Sequence, residues 1–226
     1  LAGEPRVIAL HEQVSESTYF RVALPPGQSA LITTRPLEGA PPAIEVEPVL
    51  ARVGGEVRAQ RLEVVREVVI TQAGGLEVRE RPYTPAQVPA DFALRPLEEM
   101  GLAEFSGTVR YWIDLYLPPV DEEARVFVDL GEVGCVARAW LNGHELGESA
   151  WPPHRAEITG LWQPGINELV VEVTNTLANQ AARDDVVELA RHRGWLNAYY
   201  QRTLPWMREG LRSGLIGPVD VLCEFR

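Results

Sequence analysis

The chain has 226 residues, 46% of them hydrophobic, and a formal net charge of −11. That length allows one large β domain or two small ones, and no apolar run approaches the roughly 18 residues of a membrane span, so no membrane partner is expected. Nucleic acid is not expected either, because phosphate binding needs clustered cations and the basic residues here are scattered. All 21 basic residues are Arg, which excludes a Lys nucleophile or Schiff base.

The chain opens on Leu1 with no basic stretch leading into an apolar one, which reads as a mature or excised fragment and leaves the compartment open. Residues 1–90 read as short strands broken by Pro and Gly: Arg6–Leu10, Tyr19–Leu24, Ala30–Thr34, Ile44–Val53, Val57–Ile70 and Leu76–Arg79. Together they suggest a smaller β-sandwich-like region. Three prolines between Arg81 and Pro89 remove backbone donors and favour extended backbone, so a domain boundary is expected at 90/91. A short helix is expected from Pro96 to Met100.

Thr108–Leu117 then alternates Val109, Tyr111, Ile113 and Leu115 on one face with Arg110 and Asp114 on the other, while Trp112 and Tyr116 make that second face partly apolar. Asn142-Gly143 favours a type I′ hairpin turn. Trp162–Gly165 gives another turn before Asn167–Val173, whose Leu169, Val171 and Val173 share a face. Asp184–Arg193 carries acids at its start, bases at its end and Gly194 as a stop, the charge order of a helix. It is expected as a surface helix inserted between strands, with Val219–Phe225 as the closing strand.

No Gly-x-Ser-x-Gly elbow occurs, and His11, His144, His154 and His192 have no nucleophile context, so all four are expected at the surface. Thirty-two acidic residues make any chosen carboxylate pair uninformative, and a barrel of about 250 residues cannot be fitted. No catalytic residue and no cofactor are therefore expected. Cys135 and Cys223 lack metal spacing and are expected as two buried thiols rather than a bridge. Asp121-Glu122-Glu123 could hold Ca²⁺, although solvated loop charge is the plainer reading.

Trp151-Pro-Pro-His-Arg155 is the strongest local candidate for ligand contact. A Trp face can stack on the C–H surface of a sugar while an Arg fork bonds neighbouring hydroxyls. The alternative is that Trp151 plugs one end of a sandwich and Arg155 satisfies loop carbonyls. Asn142 reads as a turn residue, and Asn175, at a strand end, fits loop fixing as well as ligand contact. Trp195, Tyr199, Tyr200 and Trp206 could be a stacking platform, a packing layer or an interface, with packing or interface use preferred. A helix would put Trp195 beside Tyr199 and Leu196 beside Tyr200.

Several of these signals recur in a fixed order: Phe105-Ser106-Gly107, Val126–Gly131, Trp140–Gly147, Trp151–Arg155, Gly165–Asn175 and Ser213–Val219. That order resembles the galactose-binding-like β-sandwich of glycoside hydrolases, notably the family 2 sugar-binding domain and the C-terminal region of family 106 α-L-rhamnosidases. The resemblance covers about half the chain. It implies an all-β fold with a jelly roll over 91–226, to which the charge order of Asp184–Arg193 adds a short helical insertion. It also implies a non-catalytic ancillary role: binding carbohydrate or supporting the catalytic barrel of a parent hydrolase. The segment Asn175–Asn179 resembles the family's Asn-x-x-x-Asn, but Leu177, Ala178 and Gln180 stand where the rhamnosidase-like pattern has an aromatic and a basic residue. Trp151, His154, Arg155, Asn175 and Asn179 are thus the expected sugar contacts, with carbohydrate and a catalytic domain as the expected partners. A purely structural or protein-interaction module is the alternative.

Overall fold

The computed structural model describes residues 11–14, 17–20, 50–53, 57–80, 92–120 and 124–224. Two compact units divide the chain between Val49 and Leu50. In the first, β1 (His11–Val14) and β2 (Ser17–Phe20) pair as an antiparallel hairpin. The expected strands Arg6–Leu10 and Ala30–Thr34 lie outside the described residues, as do the proline-rich 81–91 stretch and Asp121–Glu123.

The second unit is a two-layer antiparallel β-sandwich with a helical insertion. Its strands are β3 (Leu50–Val53), β4 (Val57–Ile70), β5 (Leu76–Arg79), β6 (Gly107–Leu117), β7 (Arg125–Asp129), β8 (Glu132–Gly134), β9 (Val136–Leu141), β10 (His144–Ser149), β11 (Arg155–Glu157), β12 (Gly165–Thr174), β13 (Gly214–Gly217) and β14 (Asp220–Glu224). One sheet has the order β10-β9-β12-β6-β4-β5 and the other β11-β7-β14-β3, with β13 and β8 as a separate pair. Strands from both sides of the expected 90/91 boundary share a sheet, since β4 pairs with β6 over most of its length.

β6 sets the pattern. Its side chains alternate between buried and partly exposed along the whole strand, which the period of two demands when one face meets a core. Val109, Tyr111, Ile113, Leu115 and Leu117 point inward, joined by Leu169, Val171 and Val173 from β12. Val126, Val128, Val221 and Cys223 of the opposing sheet complete the same apolar cluster. Cys223 is the buried thiol expected; Cys135 is not, because it sits exposed in the β8–β9 turn with φ 100°.

The β9–β10 loop is Asn142-Gly143 with φ of 50° and 82°, the expected tight hairpin. Buried Asn167 holds it: its Oδ1 accepts from Asn142 Nδ2 at 2.8 Å and from Gln163 N at 2.9 Å, and its Nδ2 donates to Gln163 O at 2.8 Å. Near Pro96 the chain forms a 3₁₀ turn, Leu97–Met100, shorter than the helix expected there.

Three helices fill the insertion between β12 and β13: α1 (Ala178–Ala181), α2 (Asp184–His192) and α3 (Ala198–Glu209). α2 follows its charge signals, with Asp184 and Asp185 in the first turn, Arg191 and His192 in the last, and Val186, Val187 and Ala190 buried. Trp195 precedes α3 rather than sharing a helix with Tyr199, so the expected pairing of the two along one helix does not form.

Tyr111 ties the core to the chain returning from the insertion. Its hydroxyl lies with the side chain fully buried and accepts the backbone N–H of Leu215 at 3.1 Å. Burial pushes its ionisation well above the ordinary phenolic range, so it stays neutral. A Cβ on Gly214, at φ +90°, would come within 2.5 Å of the Tyr111 oxygen, so the two residues constrain each other. Tyr111→Phe leaves the buried Leu215 N–H without a partner and should cost about 1–3 kcal/mol. Urea denaturation measures this directly; a midpoint unchanged from wild type would show that the bond contributes nothing net.

Candidate functional site

Trp151–His154 carries the chain from β10, the edge of the six-stranded sheet, to β11, the edge of the four-stranded one. Its backbone is fixed from within. Ser149 Oγ donates to the Trp151 carbonyl at 3.2 Å and lies 3.0 Å from His154 Nδ1, while the His154 carbonyl accepts from Leu130 N at 2.8 Å. With its ends held, the loop turns the Trp151 ring outward, 74% exposed. Trp151 therefore does not plug the sandwich.

His154 lies beneath that loop with only 4% of its surface exposed, which corrects the expectation of four surface histidines; His144 and His192 are exposed as expected. Burial holds its pKa below the ordinary value of 6.5, outweighing the upward pull of Asp129 and Ser149. Arg155 begins β11 and bonds not to loop carbonyls but to Asp129 Oδ2, through Nε at 3.1 Å and Nη2 at 2.7 Å. Its Nη1 makes no hydrogen bond among the described residues. Trp151 and Arg155 thus present one open aromatic face and part of one anchored guanidinium, whereas His154 shapes the loop from below.

Asn175 and Asn179 serve a different junction. Ser149, Ala137 and Val173 lie in one row across β10, β9 and β12, so Asn175 leaves the sheet at the same end as the Trp151 loop, about two strand spacings or 10 Å across. Its polar atoms are committed, however. Oδ1 accepts Gly107 N at 2.8 Å and Nδ2 donates to Phe105 O at 2.8 Å. Asn179 is buried and donates to Glu98 Oε1 at 3.0 Å and Ala103 O at 2.9 Å. Ser213 joins them, with its N–H donating to Glu98 Oε2 at 3.0 Å. The pair therefore fastens the start of the insertion to residues 98–107 and 213. Sequence type could not separate this fastening from ligand contact, because an amide serves both.

The aromatic group splits as well. Tyr200 is part-buried and donates its hydroxyl to the Ala181 carbonyl, while Trp195 packs its ring against Gly74 in the β4–β5 turn. Tyr199 and Trp206 are 68% and 56% exposed. A shallow apolar cavity of about 320 Å³ lies between the hairpin and the helices, lined by Ile70, Leu76, Val186, Leu189, Trp195 and Tyr200.

A larger hollow, of about 550 Å³, opens on the outer face of the six-stranded sheet, lined by Arg58, Gln60, Arg61, Trp112, Asp114 and Glu168 among others. No sequence reading singled it out, although the polar side of β6 had already shown Asp114 and Trp112. Its other walls come from strands paired in space, which a linear pattern does not announce.

No established family profile matches the chain. A Formosa agariphila protein named "Putative beta-glucuronidase" is 30% identical over 147 residues, a match that covers 55% of this chain and 13% of that protein. Among solved structures, a rhamnosidase from Novosphingobium sp. PP1Y aligns over 78% of this chain and 16% of its own, at 24% identity and a TM-score of 0.45. The beta-D-glucuronidase of Dictyoglomus thermophilum aligns over 59% of this chain and 21% of its own, at 20% identity and a TM-score of 0.32. The chain spans less than a quarter of the length of each of these three hydrolases.

Proposed function

We propose that this chain is a non-catalytic, galactose-binding-like portion of a glycoside hydrolase, which supports the catalytic domain and contacts carbohydrate through the Trp151 loop. The observation that carries the reading is the 147-residue similarity to a glucuronidase-named protein of which the chain matches only 13%. The geometry adds an exposed indole and, four residues on in the same loop and strand start, a partly uncommitted guanidinium, the two kinds of group that a sugar's C–H face and hydroxyls require. The finer assignments, to a jelly roll of the family 2 or family 106 α-L-rhamnosidase-like type, rest on the order of motifs from Phe105 to Val219.

A second reading is favoured by one surface. Leu76 and Val78 of edge strand β5 are exposed, as are Trp195, Tyr199 and Trp206, and a face of that character suits contact with another protein domain better than contact with water. The two uses occupy different parts of the molecule.

A shallow site built on one stacking face should bind weakly, near the millimolar range, because each hydroxyl exchanges good bonds with water for similar bonds with protein. Titrating methyl rhamnoside, methyl galactoside and pectin-derived oligosaccharides, followed by protein NMR, should move the Trp151 indole resonance, and Trp151→Ala should abolish that binding. If a folded Trp151→Ala protein keeps the same affinity, the loop is not the site. The isolated chain should show no turnover of nitrophenyl rhamnoside, galactoside or glucuronide; sustained hydrolysis by contaminant-free protein would refute the non-catalytic role.

Stability should report on His154. Its folded-state pKa lies below 6.5, so under acid conditions the unfolded chain binds more protons than the folded one. The contribution of neutral His154 is therefore fully present above about pH 6.5, the unfolded value, and is lost progressively below it as pH falls through the lower folded-state pKa. Denaturation at about pH 7.5, 6.5 and 5.5 should show wild type losing stability across this window and His154→Asn losing less. Parallel profiles for the two proteins would show that His154 does not control the loss.

A further inference from the structure

We infer that the outer face of the six-stranded sheet carries a second ligand site, centred on Trp112, that takes a neutral polyhydroxylated ligand such as a pyranoside. The site stands on the hollow's own geometry and does not depend on the Trp151 loop.

The sheet register builds it in rows. Arg61, Trp112, Val170 and Trp140 lie side by side across β4, β6, β12 and β9, and the adjacent row reads Arg58, Asp114, Glu168. A β-bulge between Ala59 and Arg61 inserts Gln60 into β4, so that Gln60 and Arg61 are both exposed between buried Ala59 and Leu62. Bulges re-aim side chains in this way and are common beside functional sites. Here the bulge places an amide and a guanidinium side by side on the outer face, the amide bonded to Asp114 and the guanidinium over the Trp112 indole.

The groups are arranged as a recognition surface. Arg61 stacks its guanidinium 3.5 Å from the centroid of the Trp112 ring, which orders the side chain while leaving its N–H edges free. Among the described residues Arg61 makes no hydrogen bond or ion pair, and neither does the Glu168 carboxylate. Asp114 is held by the Gln60 side-chain amide, fixing the wall between them. An uncommitted donor fork and an uncommitted acceptor therefore flank one half-buried indole, which Arg61 covers and which has the Arg110 guanidinium 5.6 Å from its centroid. The hollow's volume of about 550 Å³ falls within the usual range for small-molecule sites.

Charge selects the ligand class. Two guanidinium groups and two carboxylates line the hollow, so an anion meets Asp114 and Glu168, and a cation meets Arg58 and Arg61. A vicinal diol satisfies both kinds of group at once, accepting from Arg61 and donating to Glu168, while a sugar's C–H face packs on the indole–guanidinium platform.

The test uses the full 226-residue chain and follows the Trp112 indole N–H resonance, assigned by its loss in Trp112→Phe. The neutral probes are methyl β-D-glucopyranoside, methyl α-L-rhamnopyranoside and cellobiose; sodium glucuronate and glucosamine are the charged ones. At least one neutral probe should shift the Trp112 resonance saturably, with Kd in the range of about 1–10 mM. Arg61→Gln and Glu168→Gln, each checked for native near-ultraviolet dichroism, should each weaken that response about fivefold or more, and Trp151→Ala should leave it intact. The inference is overturned if no neutral probe moves Trp112, if only a charged probe does, or if neither substitution changes the response. A shift at Trp112 without one at Trp151 would separate this site from the loop proposed above.

Discussion

The register of β6 against β4 and β12 is the constraint on which the other features of the sandwich depend. Side chains alternate with a period of two, so a one-residue slip on either side would carry the inward row of Val109, Tyr111, Ile113 and Leu115 toward solvent and the row of Arg110, Trp112 and Asp114 into the core. The cost of burying Arg110 and Asp114 away from their partners excludes that alternative. Once β6 is fixed, β12 is placed, and β9 with it. Both the Asn142 hairpin and the opposite end, where β10 hands the chain to the second sheet, then follow.

The insertion is bound to this frame by polar contacts at its start as well as by the apolar face of α2, where Val186, Val187 and Ala190 are buried. α3 buries no residue, and the strong attachments lie earlier, where Asn175, Asn179 and Gln180 engage residues 98–107. Gln180 accepts from Ile70 N at 3.3 Å and from Arg183 Nη1 at 2.7 Å. Such a network has value only while complete, since each buried amide left without a partner costs free energy. This explains why residues that resemble a ligand-binding pair are occupied internally.

Much of this was legible in the sequence because period-two alternation and charge order act over short distances. β6, β12, the Asn142-Gly143 turn and α2 all follow from neighbours within a few positions. α3 was not legible: Pro205 argues against a helix interior, and no amphipathic stripe marks it because it buries nothing. The burial of His154 was hidden for another reason, since its cover comes from a loop whose path depends on Ser149 and Leu130. The Trp112 hollow draws its walls from β4, β6 and β12, whose residues stand far apart in sequence. Of the expected sugar contacts, Trp151 is fully presented and Arg155 in part, while His154, Asn175 and Asn179 face inward tasks.

The extra residue in β4 has a consequence for how the sheet tolerates change. Ala59 and Leu62 point inward on either side of it, and Arg58 and Arg61 point outward. Removing Gln60 would bring Ala59 next to Arg61 and restore strict alternation without moving any inward position out of phase. The inward row of β4 from Ala59 to Leu62 thus keeps its phase whether or not this residue is present. Its position is a degree of freedom that the outer surface holds alone, so length changes at residue 60 can remodel that surface while the inward row stays in phase.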